Sequence, residues 1–307
     1  MTFANLKKNA KTSIETINKK VQEMNKFQSD DRFWQLTTDK AGTGEATIRF
    51  LPTKDAAAND DDIPFVRVWD HGFKGPGGWY IEKSLTTLGP DTPDPVAEYN
   101  SALWATDEKA KKDIVSGTPN NPGTKRRLHY VSNILVVNDP ENPSNNGKVM
   151  LFKYGKKIFE KLNSAMNPKF ATQKAINPFD MWSGVNLILR AHKEDGQRVY
   201  SQSEFEAASP IASTDKEIEK IWGNTYSLKE FVDAKNFKSY DELKARLERV
   251  LKKPVAGATS SVEEQSPVRQ STEGRSKPEP TQQAETPPWD GEGDEDDELA
   301  EFRKLAQ

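Results

Sequence analysis

The sequence contains no cysteine and only three histidines, His71, His129 and His192, in unrelated segments. Without cysteine there is no disulfide, no thiol nucleophile, and no thiolate site for zinc or an iron–sulfur cluster. Three scattered histidines argue against a histidine-rich metal centre as well. No run of 18 apolar residues occurs, so no membrane-spanning helix is expected. The N-terminus lacks an apolar stretch followed by small residues, so export is not expected either. A reduced cytoplasm fits these absences. Walker A, GxSxG, HExxH and EF-hand patterns are missing. Gly42 and Gly44 precede a strand pattern rather than a helix, which weakens a dinucleotide reading. Asp55, Asp60, Asp61 and Asp62 could serve a metal-dependent nuclease, but neighbouring acids in a polar stretch are ordinarily just solvated. The expectation is a protein that is not an enzyme.

What the chain does have is charge, unevenly placed. Of its 307 residues, 30% are charged and 34% hydrophobic, too polar for a packed core throughout. The net charge of -3 conceals an asymmetry. Five lysines against Glu15 make residues 1–20 basic, and seven Lys or Arg against thirteen acids make residues 251–307 acidic. A basic arm, a near-neutral body and an acidic tail form a pattern of nucleic-acid binders.

Periodicity divides the chain further. In residues 1–28, Leu6, Ala10, Ile14, Ile17, Val21 and Met24 recur at helical spacing, which predicts an amphipathic basic arm. The body, residues 29–253, has strand-like runs at 46–52, 63–73, 78–84, 129–138, 148–154, 184–193 and 198–205. Asn146-Gly147 reads as a hairpin turn in which both residues accept positive φ. Residues 156–167 read as a helix. Thr214 with Glu217, Ser227 with Glu230, and Ser239 with Glu242 read as capping boxes. The expected class is β-rich α+β, with helices inserted and gathered towards the C-terminal side of the body. Residues 254–288 are mainly Pro, Ser, Thr, Gln, Glu, Gly and Ala and predict a disordered linker. Residues 289–307 join an acidic run to Trp289, Leu299, Phe302 and Leu305, which predicts a partner-docking tail.

Three segments of the body interleave cations with rings. Lys125, Arg126 and Arg127 lead into Tyr130. Phe152 and Tyr154 precede Lys156 and Lys157. Arg198 precedes Tyr200. In a strand Phe152 and Tyr154 share a face and Lys153 points away. Bases stack on such rings while Lys and Arg neutralise phosphate. These ten residues, Lys153 aside, are the candidate single-strand groove. No basic recognition helix for duplex DNA stands out. An RNA-binding translational regulator would use the same groove, because stacking does not separate ribose from deoxyribose.

The pieces Ile48-Arg49-Phe50-Leu51-Pro52, His71-Gly72-Phe73, Trp79-Tyr80-Ile81-Glu82, Asn133-Ile134-Leu135-Val136-Val137, Asp139-Pro140, Gly147-Lys148-Val149 and Gly155-Lys156-Lys157-Ile158 resemble the single-stranded-DNA-binding, helix-destabilising proteins of T-even-type bacteriophages. The resemblance implies an OB-fold core that coats single-stranded DNA during phage replication, recombination and repair. It implies a location in the cytoplasm of the infected bacterium. It also implies cooperative self-association through Lys7, Lys8, Lys11, Thr12 and Ser13, and replication and recombination proteins as partners of the tail. That family holds structural zinc with one His and three Cys. Here His71 remains, while Ser84, Asp94 and Ala97 stand at the cysteine positions. No cofactor is expected. Loop 84–99 is expected to be held by packing around Trp79, Leu88 and Tyr99, with Pro90, Pro93 and Pro95 limiting its freedom.

Overall fold

The computed structural model describes residues 30–54, 63–106, 108–118 and 121–253. The arm, linker and tail inferred above lie outside the described residues, and so do Asp55, Asp60, Asp61 and Asp62.

Strands come first: β1 (Phe33–Trp34), β2 (Gly44–Phe50), β3 (Val66–Gly75) and β4 (Gly78–Lys83). Helices α1 (Pro95–Trp104) and α2 (Lys109–Ser116) precede the short pair β5 (Gly117–Thr118) and β6 (Asn121–Pro122). The long hairpin of β7 (Arg127–Asn138) and β8 (Val149–Tyr154) runs into α3 (Lys156–Met166). Then come β9 (Asn186–Glu194), β10 (Gln197–Val199), β11 (Glu204–Phe205), α4 (Asp215–Gly223) and α5 (Tyr240–Leu251).

Strand β7 organises the sheet. Its segment 130–136 is buried on both faces, as a central strand of Val, Ile and Leu should be. One edge pairs with β8. The other edge is shared in succession by β3, from Arg127 to Val131, and by β2, from Ile134 to Asn138. Strand β9 continues from β2 and carries both β10 and β11. Only β1–β8 is parallel within this nine-stranded sheet. The result is a β-rich mixed architecture with a few helices, compatible with an OB-like core.

The main core joins Trp34, Ile48, Phe50, Ile134, Val136, Leu187 and Leu189 of the sheet to Ile158 and Leu162 of α3. A second cluster (Phe73, Tyr80, Val96, Leu247 and Val250) packs the β3–β4 hairpin between α1 and α5. Gly77 is required at that hairpin's tip. Its amide donates to the Val250 carbonyl at 2.7 Å, and a Cβ there would lie 2.1 Å from the Arg249 oxygen.

Several local expectations change. The 198–205 run divides into β10 and β11 because the chain turns at the exposed Ser201 and Gln202, with the Ser203 amide donating to the Tyr200 carbonyl. In the β7–β8 connection only Gly147 takes positive φ, while Asn146 sits at φ -57. Asn146 Oδ1 accepts the Asp139 amide at 2.7 Å, so the turn is part of a longer side-chain-bonded loop. Capping boxes form at Thr214 and Ser239. After Ser227 a 3-10 turn spans Lys229–Phe231, and Glu230 pairs with Arg32. Helices α1 and α2 interrupt the middle of the body, so the helices are not gathered only at its C-terminal side.

Candidate nucleic-acid interface

Pairing of β3 with β7 sets Arg67 opposite Tyr130 and Trp69 opposite Leu128, so these four share one sheet face. Arg126, two residues before Leu128, continues that face beyond the end of β7. Its guanidinium stacks over the Trp69 ring at 4.2 Å. The segment leading to Arg126 is fixed at its backbone. The Thr124 and Lys125 amides donate to the Ile114 and Val115 carbonyls at the end of α2. The Thr124 carbonyl accepts from Asn100 Nδ2 at 3.0 Å and lies 3.1 Å from His71 Nδ1. On α2, Lys112 lies over Trp104, with its ammonium 5.8 Å from the ring. Cations and half-buried rings therefore meet in two pairs, Arg126 with Trp69 and Lys112 with Trp104. Such contacts strengthen as water is excluded.

Lys156 and Lys157 occupy the first turn of α3, which has no acidic residue. A helix N-terminus carries partial positive charge, so cations there are locally unfavourable. Lys156 offsets this through an i,i+4 ion pair with Glu160 at 4.0 Å, and Lys157 is exposed. Arg198 is elsewhere. It sits on β10, three strands from β7, roughly 14 Å along the sheet, and donates to Thr38 Oγ1.

The rings require a correction. Tyr130, Phe152, Tyr154 and Tyr200 are buried in the main core, none more than 9% exposed, and do not form an open platform. Their faces are already covered by protein. Phe159 stacks on Tyr130, and Trp34 and Phe50 pack edge-on against Phe152 and Tyr154. The Tyr154 hydroxyl bonds Ser132 at 2.9 Å, and burial pushes its phenol well above the usual value. The exposed rings among the described residues include Phe170 and Trp182, and the half-buried ones Trp69 and Trp104. Sequence reasoning did not single out Trp69. Its signal was present: Arg67-Val68-Trp69 is a further cation–ring pair in a strand.

The opposite face of the sheet carries Asp70, His129 and Lys153. The Asp70 carboxylate meets Lys153 Nζ at 2.5 Å and lies 3.3 Å from His129 Nε2. Burial would raise the Asp70 pKa, but Lys153 and His129 hold it far below the usual carboxylate range. Burial, with Lys153 and Arg127 close by, pushes the His129 imidazole down against the pull of Asp70. A groove of about 950 Å³ opens here, lined by Arg32, Phe33, Lys83, Asp70, Lys153 and Phe231 among others. Arg32 is paired with Asp30 and Glu230, and Lys153 with Asp70, so much of its positive charge is spent within the fold. Arg126 lies on the opposite face from this groove, with Trp69.

Residues 42–251 match the family described as gp32 DNA binding protein like. The chain belongs to that family. A single-stranded DNA-binding protein of Enterobacteria phage T4 is 35% identical over 243 residues, covering 76% of this chain and 75% of its own. The corresponding protein of Enterobacteria phage T2 is 34% identical over the same length and shares. One from Escherichia phage SV14 is 45% identical over 86 residues, 27% of this chain and 73% of its own. The family resemblance read from the short sequence pieces is thereby established. The matched span includes the β3–β7 face, the basic segment and α3.

The gp32-like fold raises the question of a metal. Among the described residues no group of three or more His, Cys, Asp or Glu is placed to hold one. At His71, Ser84, Asp94 and Ala97 the donor set does not fit four-coordinate structural zinc: there is no thiolate, and alanine has no donor at all. The expected packing is only part of what holds this loop. Tyr99 packs on the second core cluster, but the centre of the loop is Asp94, which is buried and caps α1.

Proposed function

We propose that this protein binds single-stranded DNA with little sequence preference and coats it during phage replication, recombination and repair in the infected cell. The supporting observation is the stacking of Arg126 on Trp69, beside Arg67 and between Lys125 and Arg127, at the head of the central strand. In this reading Lys125, Arg126, Arg127, Lys156 and Lys157 neutralise phosphates, and Trp69 and Trp104 offer ring faces to bases. Tyr130, Phe152, Tyr154 and Tyr200 shape the core beneath. Arg198 contributes at the margin of the bound strand.

The reading needs no catalytic group. Binding single strands in preference to duplex shifts melting towards the open form by mass action. Lys7, Lys8, Lys11, Thr12 and Ser13 of the arm link neighbouring copies along the strand. Trp289, Leu299, Phe302 and Leu305 of the tail dock replication and recombination proteins. Membership in a family with relatives named single-stranded DNA-binding proteins supports the assignment.

The test is a titration of a fluorescent single-stranded oligonucleotide, its duplex and the matched RNA at two salt concentrations. Tighter, salt-dependent binding of the DNA single strand is expected. Equal affinity for duplex, or a preference for RNA, would overturn the proposal.

A further inference from the structure

The Asp94 carboxylate is almost completely buried, yet it is surrounded by donors. Oδ2 accepts from Ser84 Oγ at 2.8 Å and from the Leu85 amide at 2.9 Å. Oδ1 accepts from the Val96 and Ala97 amides at 3.0 Å each. The same Oδ1 lies 3.4 Å from His71 Nε2. Hydrogen bonds to this one side chain thus tie the end of β4 to the first turn of α1, and His71 of β3 packs against it. It also touches the other three positions, His71, Ser84 and Ala97, that would join it around a family-type zinc. His71 passes the constraint on: its Nδ1 meets the Thr124 carbonyl, which Asn100 also holds. Thr124 immediately precedes Lys125, Arg126 and Arg127.

We propose that Asp94 takes the place of a metal ion as the cross-link of this subdomain, and that through His71 and Thr124 it positions the basic segment. The cross-link stands on the geometry alone. The positioning role rests on the reading of residues 125–127 as a DNA contact.

The physical logic is a reversal of charge. A zinc ion is a buried cation that gathers anionic and imidazole donors. Asp94 is a buried anion that gathers N–H and O–H donors. Burying a lone carboxylate is very costly, and burying one with four hydrogen bonds is not. Two of those bonds come from a helix N-terminus, where negative charge is favoured. Burial would raise its pKa, but His71, the Ala97 amide and the Ser84 hydroxyl hold it well below the usual carboxylate range. Both oxygens are already committed, so a metal entering here would have to break the bonds that shape the loop.

The experiment uses the full chain, expressed with zinc in the medium. Metal content and thermal unfolding are measured with and without EDTA for the wild type, Asp94→Ala and Asp94→Asn. The wild type is expected to carry no stoichiometric zinc and to show the same Tm with chelator. Asp94→Ala is expected to lower Tm by about 5–10 °C, and Asp94→Asn, which keeps one acceptor oxygen, by less. One zinc per wild-type chain with a chelator-sensitive Tm overturns the cross-link, as does an unchanged Tm in Asp94→Ala. The triple change Ser84→Cys, Asp94→Cys, Ala97→Cys provides a converse. Uptake of one zinc with a chelator-sensitive Tm supports convergence of the four positions on one point. A natively folded triple variant that takes up none overturns it.

The positioning role is read separately, as the salt dependence of oligonucleotide binding by Asp94→Asn well below its Tm. A shallower slope with unchanged circular dichroism supports it, and a wild-type slope overturns it. A wild-type protein that binds no single-stranded DNA overturns the functional reading while leaving the Tm results to decide the cross-link.

Discussion

The ring of Phe159 lies flat on that of Tyr130, with centroids 4.0 Å apart and planes 3° from parallel. The face that a base would need is therefore occupied by helix α3. This stack holds α3 against β7 and with it the helix's first turn, which carries Lys156 and Lys157. Core rings and surface cations are coupled: the first fix where the second can be.

Truncating the two kinds of ring should then give opposite phenotypes. Tyr130→Ala removes a stacked, buried side chain and should cost about 3–5 kcal/mol of stability, as other large aromatic-to-alanine core changes do. Trp69→Ala should leave urea unfolding nearly unchanged and weaken oligonucleotide binding by about 1–3 kcal/mol. Denaturation curves and a binding isotherm for each variant decide this. A stable Tyr130→Ala with weakened binding would restore Tyr130 to the contact surface.

The cations should appear in the salt dependence. For single strands, the slope of log K against log salt is about -0.7 per phosphate neutralised. Arg126→Ala, Lys125→Ala and Lys157→Ala should each make the slope shallower by about that amount if each meets one phosphate. Arg198→Ala, three strands away, should change it less. Loss of affinity with an unaltered slope would assign that residue to packing.

Much of this fold was legible in the sequence, and the reason is periodicity. Alternation located β2, β3, β4, β7, β8 and β9 to within three residues at each end, and the capping boxes at Thr214 and Ser239 formed. Alternation also gave the correct partition at β8, with Phe152 and Tyr154 on one face and Lys153 on the other, paired to Asp70. What alternation does not carry is which face meets water. Phe50, Phe159 and Phe179 come from distant segments, and only their arrival closes the ring face. Arg49 shows the same limit from the other side. It alternates like a surface residue, yet it is fully buried, with Nη2 donating to the Asp180 and Ser209 carbonyls. The Asp94 hub was invisible for a related reason, since its donors are mostly backbone amides, which every residue possesses.

The Asp70, His129 and Lys153 cluster predicts a pH effect on stability. The folded-state pKa of His129 lies below its unfolded value of about 6.5, because of burial and the neighbouring cations. The unfolded chain therefore binds the proton first as pH falls. Stability from this group is complete above about pH 6.5 and declines below it, by at most about 1.4 kcal/mol per pH unit. Asp70, also lowered, adds its own loss at more acidic pH. Urea unfolding at pH 7.5, 6.5 and 5.5 should show a smaller decline for His129→Gln than for the wild type. Parallel declines would show that the His129 proton is not responsible.

Removal of residues 1–28 separates contact from cooperation. The basic segment, Trp69 and the first turn of α3 all lie in the body, so a short oligonucleotide that fits one molecule should bind the truncated chain almost as before. On a long strand, each bound copy presents its neighbour at high effective concentration, and a linkage through Lys7, Lys8 and Lys11 multiplies affinity without new DNA contacts. Truncation should therefore reduce apparent affinity for the long strand by about 10²-fold or more and flatten a sigmoidal isotherm. The arm is also basic, so direct phosphate contact is the competing account. It predicts equal losses on both lengths and a shallower salt slope on the short one. The ratio of the two affinities, rather than either value, is what distinguishes a contact between proteins from a contact with DNA.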